Sequence, residues 1–532
     1  MATPNNPPQK LDVAVALMLT FWVVILHLVF LTHAGALWRD EAETIGFASM
    51  PSLADTFHSL HYGNFPPLLA TLARYWTLAG WGTDFGYRIL GCLVGLGGLG
   101  ALWFGARTLG AGAPLLALAL FAGNPLDVRI GDSMRAYGLG IFFIVLTQAL
   151  IWRYVQTPTR FSWLAAAVAA ILSVQSLYQN SWFVLAFCLG ASVVALLQRK
   201  MKTAVGVVLV GAVAAISLCM DLSNLEQSSK WFRITQDSVK FEGVLDSLLE
   251  TCRAGGGRMA VVWSYLFAMA IAAACILGWR MRSWIMIYGG IVLIAGTALF
   301  LGFICYSSVS PRLWHFPILL APSALAIDSV LAGIPLAAVR WTRPALAAAL
   351  VSISVPLCLK EVMLRQTNVD LIALKLKASA QPGDLIVVSP WYFGLSLHRY
   401  LDDKKWTSVP PLADYRFHRY DLVQERMMSA HPIADLEEQI RQTLRGGHAL
   451  WVVGMFRFQP PGSPLPKVYP PYHGGLPMAD ALYCDSWASQ MAEMIRTNKC
   501  DITPVPIPIP GNMRVNPVED ISLRVIRGWH GE

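Results

Sequence analysis

Over its first two thirds the chain alternates apolar runs with short polar turns, and then its pattern changes. A helix crosses a bilayer with about 20 mostly apolar residues. Runs of this length or somewhat shorter fall at 11–32, 87–109, 113–126, 137–153, 162–178, 181–198, 203–220, 259–279, 284–306, 313–335 and 344–358, which predicts eleven spans. Between the first two, residues 53–60 and 67–80 are amphipathic; the second piece is short and carries Arg74, so both are expected along the interface. A second long segment, 221–258, has a polar first half and ends near three consecutive glycines. From about Lys360 the apolar runs shrink to strand length: DLIVVS at 384–389, HALWVVG at 448–454 and ISLRVI at 521–526, with helical periodicity over 433–444. Pro-rich stretches at 460–471 and 504–510 read as linkers or surface loops. The fold class that follows is an all-α polytopic transmembrane domain over 1–358 and a soluble α/β domain over 359–532.

Composition agrees, because 55% of the 532 residues are hydrophobic and 14% charged, a balance foreign to water-soluble domains. The net charge of +8 would suit a nucleic-acid partner, but its distribution points to a membrane. With a cytoplasmic N-terminus, the cytoplasmic turns hold Lys10, Arg107, Arg153, Arg160, Arg199, Lys200, Lys202, Arg280, Arg282, Arg340 and Arg343. The opposite side receives Asp40, Glu41, Glu43, Asp127, Asp132, Asp221 and Glu226, as the positive-inside rule requires. An odd number of spans exports the C-terminal domain. Ala34-Gly35-Ala36 has the look of a signal-peptidase site, but the 22-residue run before it is span-length and is read as an anchor. The nine cysteines form no CxxC pair and no zinc motif; on the exported side Cys484 and Cys500 could be bridged.

Directly after the first run comes Trp38-Arg39-Asp40-Glu41, two adjacent carboxylates at the membrane surface. An acid placed there can stay ionised while it reaches a lipid headgroup, as a base for hydroxyl activation must. The same face collects Asn64-Phe65-Pro66-Pro67-Leu68, then Arg88, then Asp132-Ser133-Met134-Arg135-Ala136-Tyr137, and later Ser310-Pro311-Arg312-Leu313-Trp314-His315. Each element also has a plainer reading. Acids cap helices, Arg88 and Arg135 can tie helices together, and Trp38, Tyr137 and Trp314 sit where interfacial aromatics belong. The spacing of His58, His61 and His315 is no metal signature, and no essential cation is expected.

In the order and sidedness of these landmarks the chain resembles the GT-C glycosyltransferases, in the branch of protein O-mannosyltransferases and lipid A aminoarabinose transferases. The resemblance covers roughly 11–334; the tail matches in position and size only. It implies Asp40 as the principal catalytic carboxylate with Glu41 beside it, Asp132 as a second acid, Arg135 and Tyr137 as an R-x-Y pair with Arg88 in support, and Arg312 on a carrier phosphate. Leu313 departs from the Arg-Tyr usual at that point, and Asp132 stands three rather than two residues before Arg135. Arg258 and Arg253 are further phosphate candidates, with Lys230 and Arg233 as alternatives.

The expected activity is inverting transfer of a sugar from a polyprenyl-phosphate donor to a glycan, lipid or protein acceptor, in the bacterial inner membrane by default. Such a donor carries its own leaving group, so neither nucleotide, cofactor nor nucleic acid is expected. The alternatives are a transporter or flippase for a lipid-linked glycan, against which the lack of internal repeats counts, and an inactive homologue that binds such lipids.

Overall fold

A computed structural model describes residues 7–237, 239–307, 310–401, 404–458, 464 and 466–531. The helices of the membrane half are α1 (Pro7–His33), α2 (Arg39–Ala48), α3 (Leu53–Ser59), α4 (Leu68–Trp76), α5 (Asp84–Thr108), α6 (Leu115–Ala117), α7 (Pro125–Gly131), α8 (Ala136–Gln156), α9 (Arg160–Ser176), α10 (Asn180–Leu197), α11 (Met201–Ser217), α12 (Leu222–Trp231), α13 (Phe241–Arg253), α14 (Met259–Ala273), α15 (Trp284–Ser307), α16 (Pro317–Ala332) and α17 (Ala337–Val362). Eight of them, α1, α5, α8, α10, α11, α14, α15 and α17, are long and apolar enough to cross a membrane; α9 and α16 are shorter apolar helices. The protein is a multi-pass membrane protein.

Ten of the eleven expected spans are therefore continuous helices, and the run at 113–126 is a broken one. Helical turns from Leu115 to Ala122 stop at Gly123, and α7 restarts with the Asn124 side chain accepting the Leu126 N–H and Pro125 in the first turn. The segment still traverses the bundle. At one end the Leu116 N–H donates to Asp328 of α16, which holds Arg343 of α17 at 2.8 Å; at the other, Arg129 pairs with Glu361 near the end of α17 at 3.6 Å. Irregular backbone at this depth is tolerated because neighbouring helices enclose it.

The first and last spans lie side by side and parallel. Asp12 of α1 meets Arg343 of α17 at 3.6 Å, and one bundle length away Leu26, Phe30 and Ala34 meet Cys358 and Val362. Parallel first and last helices require an odd number of crossings, as eleven is. Helices α2 to α4 stay at the end where α1 leaves and α5 begins: Arg74 of α4 donates to the Pro51 carbonyl and Trp76 to that of Gly86.

Beyond α17 come α18 (Val369–Ser379), β1 (Leu385–Ser389), α19 (Phe393–Tyr400), β2 (Trp406–Ser408), α20 (Tyr420–Met428), α21 (Ala434–Arg445), β3 (Leu450–Gly454), α22 (Ala479–Thr497), β4 (Asp501–Val505) and β5 (Leu523–Arg527). The sheet order is β2-β1-β3-β5-β4, with β1 parallel to β2 and β3, and β5 antiparallel to β3 and β4. β1 and β3 are buried along their whole length and almost wholly apolar because both faces are covered. Leu385, Val387, Leu450 and Val452 pack against α20–α22, whereas the alternating Ile386, Val388, Trp451 and Val453 pack against α18 and α19. The proline-rich stretch expected as a loop at 504–510 begins inside β4, an edge strand, where proline is tolerated. Of the stretch at 460–471, residues 460–463 and 465 lie outside the described residues.

Cys484 and Cys500 are free thiols rather than a bridge. Both belong to or follow α22, whose 14 residues from Cys484 to Thr497 span about 20 Å, far beyond disulfide reach.

The α/β domain docks on the membrane half at the end where α1 leaves the bundle. Asp84 at the start of α5 accepts from Arg399 at 2.7 Å and from the Tyr400 hydroxyl at 2.6 Å, while that hydroxyl in turn accepts the Leu37 N–H. The Gln366 N–H donates to the Ala34 carbonyl.

Candidate active site

The short interfacial helix α2 carries three acids in its first five residues, and helical geometry sends them in two directions. Asp40 and Glu43, three apart, share one face; Glu41 is rotated by about 100° into the bundle. Glu41 is fully buried: Arg88 meets it at 2.5 Å, the Met134 N–H donates to it at 2.9 Å, and its second oxygen reaches back to the Trp38 N–H at 3.3 Å. The remaining Arg88 nitrogens donate to the Gly35 and Ala36 carbonyls. This knot fastens the end of α1 to α5 and α8.

Arg135 is the pivot of the other face. Its guanidinium donates to the Asp40 carbonyl at 3.0 Å and to Glu43 at 3.1 Å, lies 3.6 Å from the Asp40 carboxylate, and stacks 4.5 Å over the Phe65 ring. Phe65 in turn stands edge-on to Tyr137 at 5.7 Å, and Tyr137 neighbours His315 at 6.4 Å. The four sequence elements around Asp40, Phe65, Arg135 and Arg312 thus converge, and each meets the next through a side chain. Arg312 itself is exposed, with its backbone N–H on the His315 ring.

The rest of the site comes from a part of the chain that sequence patterns did not single out. Between β2 and α20 the α/β domain sends a strap, 414–420, onto α2. Phe417 stacks on Phe47 at 4.4 Å, the His418 N–H and Nδ1 both meet Glu43, at 2.9 and 2.8 Å, and His418 Nε2 lies 3.8 Å from Asp40. Gly46 permits this approach, since a Cβ there would lie 2.6 Å from the Arg416 carbonyl oxygen. The strap is braced by Asp414, which pairs with Arg416 and Arg419, and by Arg419 lying 4.7 Å over the Tyr62 ring. On the remaining side, Arg39 of α2 joins Asp40 at 3.4 Å and Glu519 of the α/β domain at 3.3 Å, with its guanidinium over the Tyr392 ring.

Electrostatics sort these acids. Burial alone would raise the Asp40 carboxyl, but Arg135, Arg39 and His418 together hold it below the usual carboxylate range. Glu43 is likewise held down against burial, by His418 and Arg135. Glu519 goes the other way. Its burial, reinforced by Asp40 and Glu41, outweighs Arg39 and pushes it up to about 8. It therefore keeps its proton at neutral pH in the folded chain, whereas the unfolded carboxyl ionises near pH 4.

Linkage then gives a sign. Between pH 5 and 8 the native state binds the additional proton, so this group makes stability fall as pH rises through that window. Glu519→Gln is expected to flatten the slope by on the order of a few kcal/mol across the window, measured by thermal unfolding in detergent at pH 6 and pH 9. Parallel pH dependence in wild type and variant would refute a protonated Glu519.

Other residues singled out by sequence stand elsewhere. Asp132, 1% exposed, turns inward onto His27 Nδ1 at 2.8 Å. Arg253 and Arg258 are exposed at the end of α13 and just before α14, with Arg253 3.3 Å from Glu250. Lys230, 3.5 Å from Glu226, and Arg233 are exposed as well. A link joins this region to the late arginine element: the Thr251 hydroxyl donates to the Leu313 carbonyl. A cavity of about 510 Å³ lies behind Arg88 rather than over Asp40, lined by Gly35, Ala36, Asp84, Arg365 and Tyr400 among others.

No protein-family model and no curated protein matches the chain. Among solved structures it is similar to ArnT from Cupriavidus metallidurans bound to undecaprenyl phosphate, at 14% identity over 84% of this chain and 92% of that one, with a TM-score of 0.49. It is also similar to the Archaeoglobus fulgidus oligosaccharyltransferase in complex with zinc and sulfate, at 11% identity over 81% of this chain and 67% of that one, with a TM-score of 0.47.

Proposed function

We propose that the protein is a membrane glycosyltransferase that moves a sugar, with inversion, from a polyprenyl-phosphate carrier to an acceptor hydroxyl or amine on the non-cytoplasmic face. The observation that carries the reading is the contrast among four neighbouring carboxyls: Asp40 keeps 17% of its side chain exposed, while Glu41, Glu43 and Glu519 keep 0%, 2% and 0%. Asp40 is also held ionised, so this cluster offers an approaching nucleophile one accessible base.

The donor needs little more. A sugar on a lipid phosphate has a good leaving group, and one base on the acceptor side suits a single in-line displacement. No cofactor enters the reading. The charge that develops on the departing phosphate calls for guanidinium groups on the same face, and Arg312, exposed beside the Tyr137–His315 contact, is the first choice, with Arg258 and Arg253 nearby. We place the site outside the cytoplasm because Arg107, Arg153, Arg160, Arg199, Lys200, Lys202, Arg280 and Arg282 gather at the opposite ends of the spans.

The test is transfer in detergent with a panel of polyprenyl-phosphate sugars, scored by release of free polyprenyl phosphate. Binding of such lipids without release from any of them would replace this reading with a transporter or an inactive binding protein. Arg312→Ala is expected to raise the donor KM about tenfold, as loss of one charge-assisted phosphate contact worth roughly 1.5 kcal/mol should. A donor KM equal to that of the wild type would remove Arg312 from the phosphate site.

A further inference from the structure

We infer that His418, delivered by the strap of the α/β domain, is the group that takes the proton from Asp40 after each transfer. The inference rests on the reading of Asp40 as base. It assigns the soluble domain a part in the chemistry, beyond any choice of acceptor.

The geometry separates the two ring nitrogens. Nδ1 is engaged by Glu43 at 2.8 Å, and Glu43 is fixed from two further directions by the His418 N–H and by Arg135. An ionised carboxylate at that distance orients the ring with Nδ1–H as donor, which leaves Nε2 as the basic atom. Nε2 faces Asp40 Oδ1 at 3.8 Å, a gap that a small rotation of the Asp40 side chain closes. The ring cannot swing away easily: Trp391 stands edge-on to it at 5.9 Å and Tyr420 stacks against it at 5.8 Å. Carboxylate, imidazole and second carboxylate therefore stand in line from α2 to the strap and back.

The proton balance is complete without any further reactant. The acceptor atom bonds to the anomeric carbon as the bond from that carbon to the phosphate oxygen breaks, and the electron pair leaves with the phosphate. The acceptor's proton passes to Asp40 and then to His418 Nε2. The resulting imidazolium lies between Asp40 and Glu43, which stabilise it until solvent removes the proton. Asp40, kept from holding the proton by Arg135 and Arg39, returns to its ionised form for the next acceptor.

Two substitutions and a small molecule test this. His418→Ala is expected to lower kcat by about 100-fold, the lower end for a lost proton-transfer group, with donor and acceptor KM unchanged, and added imidazole should restore at least about a tenth of the lost rate. His418→Asn places an amide N–H where Nδ1–H stood and so keeps the bond to Glu43, yet lacks Nε2; it should remain as slow as the alanine variant. Full activity in the asparagine variant, or wild-type kcat in either, would overturn the relay and leave His418 a purely structural contact. Monodisperse elution and an unchanged unfolding temperature for His418→Asn exclude misfolding as the cause of its slowness. The same plates carry wild type and Asp40→Asn. No release by wild type removes the proposed function and the relay together, whereas Asp40-dependent release with fully active His418 variants removes the relay alone.

Discussion

Asp40→Asn is expected to reduce transfer by at least about 10³-fold, within the range assigned to loss of a positioned general base, while leaving the protein folded. Asparagine keeps the shape and a carbonyl oxygen for the neighbouring guanidinium groups but cannot accept the acceptor's proton. The fold survives because the Asp40 side chain is not part of the buried knot; Arg135 retains Glu43 and the Asp40 backbone carbonyl, and Arg39 retains Glu519. Donor binding is expected to persist, so the loss should sit in kcat. Transfer at the wild-type rate by Asp40→Asn would move the base elsewhere, with Glu43 the next acid on that face.

Glu41→Ala is expected to fail for the opposite reason. It removes the partner of Arg88 from a site where the acid is wholly buried and the arginine 2% exposed, and it orphans the N–H groups of Met134 and Trp38. Breaking a buried pair by deleting one member costs roughly 3–5 kcal/mol, enough to unfold many proteins outright. The measurement is unfolding temperature in detergent together with recovery of monodisperse protein. The pair of adjacent acids is thus predicted to split: one variant folded and inactive, the other unstable. If Glu41→Ala proved as stable as the wild type and still inactive, Glu41 would have to be assigned to the chemistry.

How much of this was legible in the sequence depends on the length scale of the interaction. Ten helices announced themselves as apolar runs, eight of them of full spanning length, because lipid imposes a long apolar run on a continuous span. The broken one was visible only as a short run, since Gly123 and Asn124 interrupt it and its ends are secured by Asp328 and Glu361, residues more than 200 positions away. Strands β1, β3 and β5 were marked by apolar runs, whereas β2 is three residues long and β4 carries Pro504. In the site, the convergence of Asp40, Phe65, Arg135 and Tyr137 followed from sidedness. Glu43 was overlooked beside the conspicuous Asp40-Glu41 pair, although its i,i+3 spacing from Asp40 was available once α2 was read as a helix. His418 and Glu519 could not be found that way, because the α/β domain folds them back onto α2 from almost 400 and 480 residues along the chain.

The parallel pairing of α1 with α17 has a consequence for biogenesis. When α1 is made, the flank that carries Leu26 and Phe30 still lacks its partners, Val128 of α7 and, more than 300 residues along the chain, Cys358 and Val362 of α17. The segment bearing Asp40 is consequently unsupported while the intervening spans insert, and the strap that meets it arrives later still. A chain arrested anywhere before α17 has an open bundle and no assembled centre. The centre is complete only once α1 and α17 have met and the α/β domain lies over them.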